Sequence, residues 1–358
     1  MRWVAERGAF RALRSAMCLF VAAACFHAPS STAAIPESER QALIAIYEAT
    51  HGGTWGLNTN WCTTSPCPLE APTFAPPGTE CYTGDPGHGW YGVECNRDKT
   101  HVINVNLSAN HLTGSLPSIS ALTALQTFQV GNNELVGSLP ELSALSSLRT
   151  FAASANHLGG SIPSLDGLAA LEAFLVGDNQ LTGSMPSLDG LTALRAFDAR
   201  ANQLSGSIPE LRDHAALVNF VVTGNALTGS IPDLSGLDAL RYFYVDRNRL
   251  SGSIPPLAAL GALRQLDVSD NLLTGAIPAL PSNVNQVDFG NNRLGGAVPG
   301  APATLWSSQS TLCPNPLDLA PGGNDAGWNV ATGHTPWWAD PASGVRCDDL
   351  FMAGFDAH

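Results

Sequence analysis

The sequence predicts an α/β solenoid: a right-handed superhelix of nine repeats of about 23 residues, with a parallel β-sheet on its concave side and a disulfide-bonded cap at each end. Three observations predict it. Asparagine recurs every 23 residues at Asn110, Asn133, Asn156, Asn179, Asn202, Asn225, Asn248 and Asn271, and again after 21 at Asn292. Each is followed by Leu two positions on, Gly four on and Pro seven on, from Leu112, Gly114 and Pro117 to Leu294, Gly296 and Pro299. Cysteine is absent from the array and gathers at its two ends.

Residues 1–34 read as a secretory signal peptide. Arg2, Arg7, Arg11 and Arg14 form a basic start, Ala16–Phe26 an apolar core, and Thr32, Ala33 and Ala34 a small-residue cleavage region. That core is shorter than the roughly 17–25 residues a membrane span requires. The expected location is therefore secreted or cell envelope, with lipoprotein acylation at Cys25 as a minority alternative. Cleavage leaves Cys62, Cys67, Cys81, Cys95, Cys313 and Cys347, an even set that reads as disulfides in an exported chain. Cys62 and Cys67 lack a second close pair at zinc-finger spacing, so no metal or other cofactor is expected.

Residues 35–100 form the expected N-terminal cap. Glu37 to Thr50 reads as a helix with Leu43, Ile46 and Tyr47 on one face. The Pro-rich stretch Ser65 to Gly89 reads as a loop. Residues 101–300 are the array, typified by L-R-A-F-D-A-R-A-N-Q-L-S-G-S-I-P-E-L from Leu194 to Leu211. This is the leucine-rich-repeat pattern. Alternating residues such as Phe197 and Ala199 point inward from a short strand. The Asn amide, both donor and acceptor, is expected to satisfy the backbone of the turn that follows. Phe128, Phe151, Phe174, Phe197, Phe220 and Phe243 share the inward position and read as a core spine. Residues 301–347, with Trp328, Trp337 and Trp338, form the expected C-terminal cap, and 348–358 is a tail without assigned role.

The signature N-x-L-[TS]-G-[SA]-[IL]-P, as in Asn179–Pro186 and Asn225–Pro232, resembles the plant-type leucine-rich repeats of receptor-kinase ectodomains and polygalacturonase-inhibiting proteins. The resemblance covers roughly residues 37 to 317. It implies a second strand on the convex side and a twisted solenoid. Trp90–Cys95 is similar to the family's Cys-x-Trp-x-Gly-Val-x-Cys, but His88 stands at the first Cys, which leaves the usual pairing open. Four cap cysteines allow three connectivities, of which Cys62–Cys67 with Cys81–Cys95 is preferred. Leu312–Leu317 is similar to the family's Leu-Cys-Gly-x-Pro-Leu, and that likeness gives Cys313 the partner Cys347. A single lysine, with Ala, Gly and Arg used freely, points to a bacterial secreted member.

Alternation places one column on the concave surface: Asn106, Gln129, Ala152, Leu175, Asp198, Val221, Tyr244, Asp267 and Asp288. Leu175, Asp198, Arg200, Val221, Tyr242, Tyr244, Asp246, Arg247 and Asp267 are the expected partner-binding residues, because aromatic and Arg anchors among apolar neighbours make protein-binding hot spots. A net charge of −13, with Lys99 the only lysine, argues against nucleic acid and against an anionic membrane surface. The expected partner is an extracellular protein, such as a glycan-active enzyme or a host surface protein. The alternative is an envelope adhesin for glycan or matrix, using Trp337 and Trp338. Asn106-Leu-Ser108 is a glycosylation sequon, relevant to a eukaryotic secretory route. His214 beside Asp213, and His334 with Asp340, are the nearest things to acid–base pairs. No nucleophile, metal or phosphate motif accompanies them, so an enzyme is not expected.

Overall fold

A computed structural model describes residues 34–65, 67, 68, 71–82, 89–318, 325–338 and 347. The expected signal peptide with Cys25, and the tail 348–358, lie outside the described residues.

The chain is a leucine-rich-repeat solenoid. After a five-residue first strand, Val102–Asn106, the following coils contribute strands of three residues whose middle side chain is buried and whose outer two are half-buried, as in Ala196–Asp198. These strands pair in parallel and in register, from Val102–Asn106 to Gln286–Asp288. Val93–Cys95 adds to the first of them antiparallel, completing a ten-stranded concave sheet. Opposite it, Thr113–Ser115 pairs with Glu134–Val136, and Ser251–Ser253 pairs with Leu272–Gly275, which pairs in turn with Arg293–Leu294. Isolated bridges such as Ser184 with Ser205 continue this second line through the central coils. Between the two lines the chain proceeds by three-residue steps rather than helix. Leu191 N–H donates to Leu188 O at 3.1 Å and Leu194 N–H to Leu191 O at 2.9 Å, and all three leucines are buried.

The asparagines close the turns. Asn202 Oδ1 accepts from Leu181 N–H at 2.9 Å, while its Nδ2 donates to Val176 O in the preceding coil and Ala199 O in its own. The same three contacts recur at Asn156, Asn179, Asn225, Asn248, Asn271 and Asn292. Asn110 has no coil before it and instead exchanges two bonds with the backbone of Leu57, fastening the array to its cap. Asn315 is a further rung: it donates to Phe289 O and accepts from Leu294 N–H at 2.9 Å. It lies 23 residues after Asn292, with Leu317 two beyond, so the period extends one unit into the expected C-terminal cap. Gly206 shows why the motif needs glycine. Its φ is +76°, where a Cβ is strained, and that Cβ would stand 3.4 Å from Ser184 of the coil before.

The core runs the length of the solenoid. The rings from Phe128 to Phe243 are fully buried and stack at 5.6–5.7 Å, almost parallel. His214 takes a leucine's place, buried, with its ring nitrogens 3.1 and 2.9 Å from Leu211 O and Leu188 O.

At the N-terminus the helix Glu37–Ala49 buries Leu43, Ile46 and Tyr47 against Trp55, Trp61 and Trp90. It also buries Arg40, which pairs with fully buried Glu80, donates to Ala75 O at 2.6 Å and lies over the Trp90 ring. Glu39 of the same helix accepts from Val102 N–H at 2.7 Å. The disulfides are Cys62–Cys67, Cys81–Cys95 and Cys313–Cys347. At the C-terminus the helix Asp325–Thr332 lays Trp328 over the last coil, its indole N–H donating to Pro299 O at 2.7 Å. Trp337 is buried and donates to Asp325 Oδ1 at 3.0 Å. These tryptophans cover the open end of the core.

Candidate functional site: the concave face and its C-terminal end

Because successive strands pair in register, residues at one position form a column across the sheet with a spacing of about 4.8 Å. The central column holds Leu175, Asp198, Val221, Tyr244, Asp267 and Asp288, all half-buried. Tyr242 and Tyr244 sit on one strand with ring centroids 6.3 Å apart, and the Tyr244 hydroxyl donates to Gln265 Oε1. Arg200 bridges Asp178 at 3.3 Å and Asp198 at 3.4 Å. Arg247 is largely exposed and lies 3.8 Å from Asp246 and 4.0 Å from Asp270.

One expected contact residue is placed differently. Asp246 is buried, its carboxylate accepting from Thr223 Oγ1 at 2.5 Å. Strand alternation ends at Val245, and the turn that follows carries Asp246 beneath its neighbour instead of out to solvent. Its charge helps to raise the carboxyls of Asp267 and Asp288.

The two ends of each strand differ electrically. Arg149, Arg195, Arg241 and Arg264 stand where the chain enters the sheet, and Asp178, Asp198, Asp246, Asp267, Asp270 and Asp288 gather where it leaves. Asp267 accepts from the Ser269 hydroxyl at 2.7 Å and amide at 3.0 Å, and Asp288 from Gly290 N–H at 2.9 Å. Neither is within ion-pair distance of a basic side chain among the described residues. Burial raises the carboxyls of Asp198 and Asp267 above their ordinary range. It pushes Asp288 up to about 7, helped by the charges of Asp267, Asp270 and Asp246. Burial raises the Tyr244 hydroxyl as well. A depression of about 260 Å³ lies between Thr223, Tyr244, Asp267 and Asp288.

Where the sheet meets the C-terminal cap a larger cavity of about 540 Å³ opens, lined by Gln286, Asp288, Thr311, His334, Trp337 and Trp338 among others. His334 Nδ1 is buried there without a hydrogen-bond partner. Of these, Asp288, His334 and the tryptophans stand out in the sequence, and Gln286 and Thr311 keep the strand register, but nothing in the sequence brings the helix-following segment of His334 to Trp338 against them. Asp340, the imagined partner of His334, lies outside the described residues. Among the described residues no cluster of three or more His, Cys, Asp or Glu side chains could hold a metal ion. None of their helices is long and apolar enough to cross a membrane.

No protein-family model and no curated protein sequence matches the chain. Solved structures do. The plant peptide hormone receptor RGFR1 in complex with RGF2 is 34% identical over 60% of this chain and 36% of its own, with a TM-score of 0.55. The leucine-rich-repeat ectodomain of the Arabidopsis thaliana membrane receptor kinase GASSHO1/SCHENGEN3, in complex with Casparian strip integrity factor 2, is 30% identical over 64% of this chain and 32% of its own, with a TM-score of 0.53. The present chain thus spans about a third of the length of each. A plant ice-binding protein is matched over 83% of this chain and 93% of its own, with a TM-score of 0.61; at 24% identity that likeness concerns the fold alone.

Proposed function

We propose that this leucine-rich-repeat solenoid is an extracellular, non-enzymatic binding protein that holds a protein or peptide partner on its concave face. The observation that carries the reading is the column Asp198, Asp267 and Asp288 beside Tyr242 and Tyr244: half-buried carboxyls, the last two without a basic partner among the described residues, next to aromatic anchors. A desolvated carboxylate lacking a counter-charge favours a ligand that brings one, so the partner presents Arg or Lys side chains. RGFR1 and GASSHO1/SCHENGEN3, each at least 30% identical, were both solved with a bound factor, which supports a receptor-like use of the same scaffold. Export after removal of residues 1–34, and the cap–array–cap division at 100 and 300 with one further coil reaching Asn315, belong to the same proposal, which the three disulfides support. Inhibition of a pectin-degrading enzyme is one specific version, and a pectinase assay without inhibition removes it alone.

The test is affinity capture from extracellular extracts with the oxidised mature chain, followed by titration of the captured protein. Tyr242→Ala/Tyr244→Ala/Asp198→Ala, shown folded by circular dichroism, is expected to weaken binding by about tenfold or more. Equal affinity for variant and wild type would remove the concave face from the function.

A second reading, an envelope adhesin for glycan or matrix, is favoured by one observation. Trp337 and Trp338 line a cavity instead of lying wholly inside the cap.

A further inference from the structure

We propose that the cavity between the last concave strand and the C-terminal cap is a carbohydrate site that takes one or two rings of a neutral sugar. The proposal deepens the glycan reading just given; it shares Asp288 with the concave-face reading but uses none of Asp198, Tyr242 and Tyr244. The volume of about 540 Å³ falls within the range of small-molecule pockets. Its lining separates ligand classes. No Lys or Arg is among the described lining residues, so an anionic ligand would meet Asp288 with nothing to offset it.

The side chains of Gln286, Gln309 and Thr311 line the cavity and take part in no hydrogen bond among the described residues. Two amides and a hydroxyl offer donors and acceptors together. A ligand that satisfies them must do the same at several points, as vicinal sugar hydroxyls do and a lone ammonium does not. The buried, unpartnered Nδ1 of His334 adds the same demand, and a hydroxyl can meet it in either tautomer. Asp288 Oδ1 is engaged by Gly290 N–H, while Oδ2 makes no hydrogen bond among the described residues and can accept from a sugar hydroxyl. Trp337 has committed its indole N–H to Asp325, so what it offers the cavity is apolar ring, the surface against which the C–H face of a sugar packs. The site is assembled from three stretches distant in sequence: the last strand, the coil at Ser308–Cys313, and the segment after the helix Asp325–Thr332. The Cys313–Cys347 bridge holds two of its lining residues together.

The experiment uses the full mature chain with its disulfides intact. It is screened against an array of neutral oligosaccharides ending in glucose, galactose, mannose or N-acetylglucosamine, and the best disaccharide is then titrated by tryptophan fluorescence. At least one neutral sugar is expected to bind and to shift the emission. Gln286→Ala/Gln309→Ala, which leaves the core untouched, is expected to weaken that binding by about tenfold, and Trp338→Ala to abolish the shift. Tyr242→Ala/Tyr244→Ala should leave both unchanged. If a polysaccharide binds but the cavity variants bind it equally well, the glycan reading survives at another place and this site is overturned. If no neutral sugar binds, both fall. If basic peptides or amines occupy the cavity and sugars do not, the ligand class assigned here is wrong.

Discussion

Each ladder asparagine supplies hydrogen-bond partners that a tight turn cannot draw from its own backbone. Replacing Asn202 with Ala strips Leu181 N–H and Val176 O of their amide partners at the edge of the core. The expected loss is about 1–3 kcal/mol, read from urea unfolding against wild type. Asp288 behaves in the opposite sense. Its carboxyl titrates near 7 folded against 3.8 ordinarily, so the folded state holds an extra proton between those values. Its contribution is therefore most favourable at acid pH and is lost as pH rises through about 7. Asp288→Asn is expected to raise the melting temperature at pH 8, with the gain gone at about pH 4. An equal gain at both pH values would show that burial of charge is not the cause.

At the level of elements, the two caps were unequally readable. The helix Glu37–Ala49 announces itself through Leu43, Ile46 and Tyr47 at helical spacing. Its ion pair does not, because Glu80 lies 40 residues from Arg40, in a Pro-rich stretch with no pattern to fix its position. Glu80→Ala leaves a buried guanidinium and is expected to cost about 3–5 kcal/mol. Arg40→Met/Glu80→Leu should recover most of that. A double variant as unstable as the single one would mean that the loop needs the pair for its shape. The phenylalanine spine was legible for the converse reason: a column at fixed period has only one inward phase. Phe174 is stacked on both sides, and Phe174→Ala is expected to cost about 3–5 kcal/mol in the same assay.

Across the whole molecule, the period decided the fold and much of the concave face, since alternation along a strand assigns each side chain to a surface. It failed at Asp246, two residues past the strand Tyr242–Tyr244, where the turn and not the pleat sets direction. It was silent at the C-terminal cavity, whose walls come together only in the folded chain. If opposite charge guides the partner to the concave face, raising salt from 50 to 500 mM should slow association far more than it speeds dissociation. Stopped-flow mixing distinguishes the two. The asparagine ladder also has a direction, and that bears on how the chain comes into being. Each amide reaches back to finish the coil made before it. During synthesis, then, a coil stays incomplete until the next 23 residues have left the ribosome. The growing protein always trails one unfinished turn behind it, beginning from the clasp on Leu57 and ending only when Asn315 arrives.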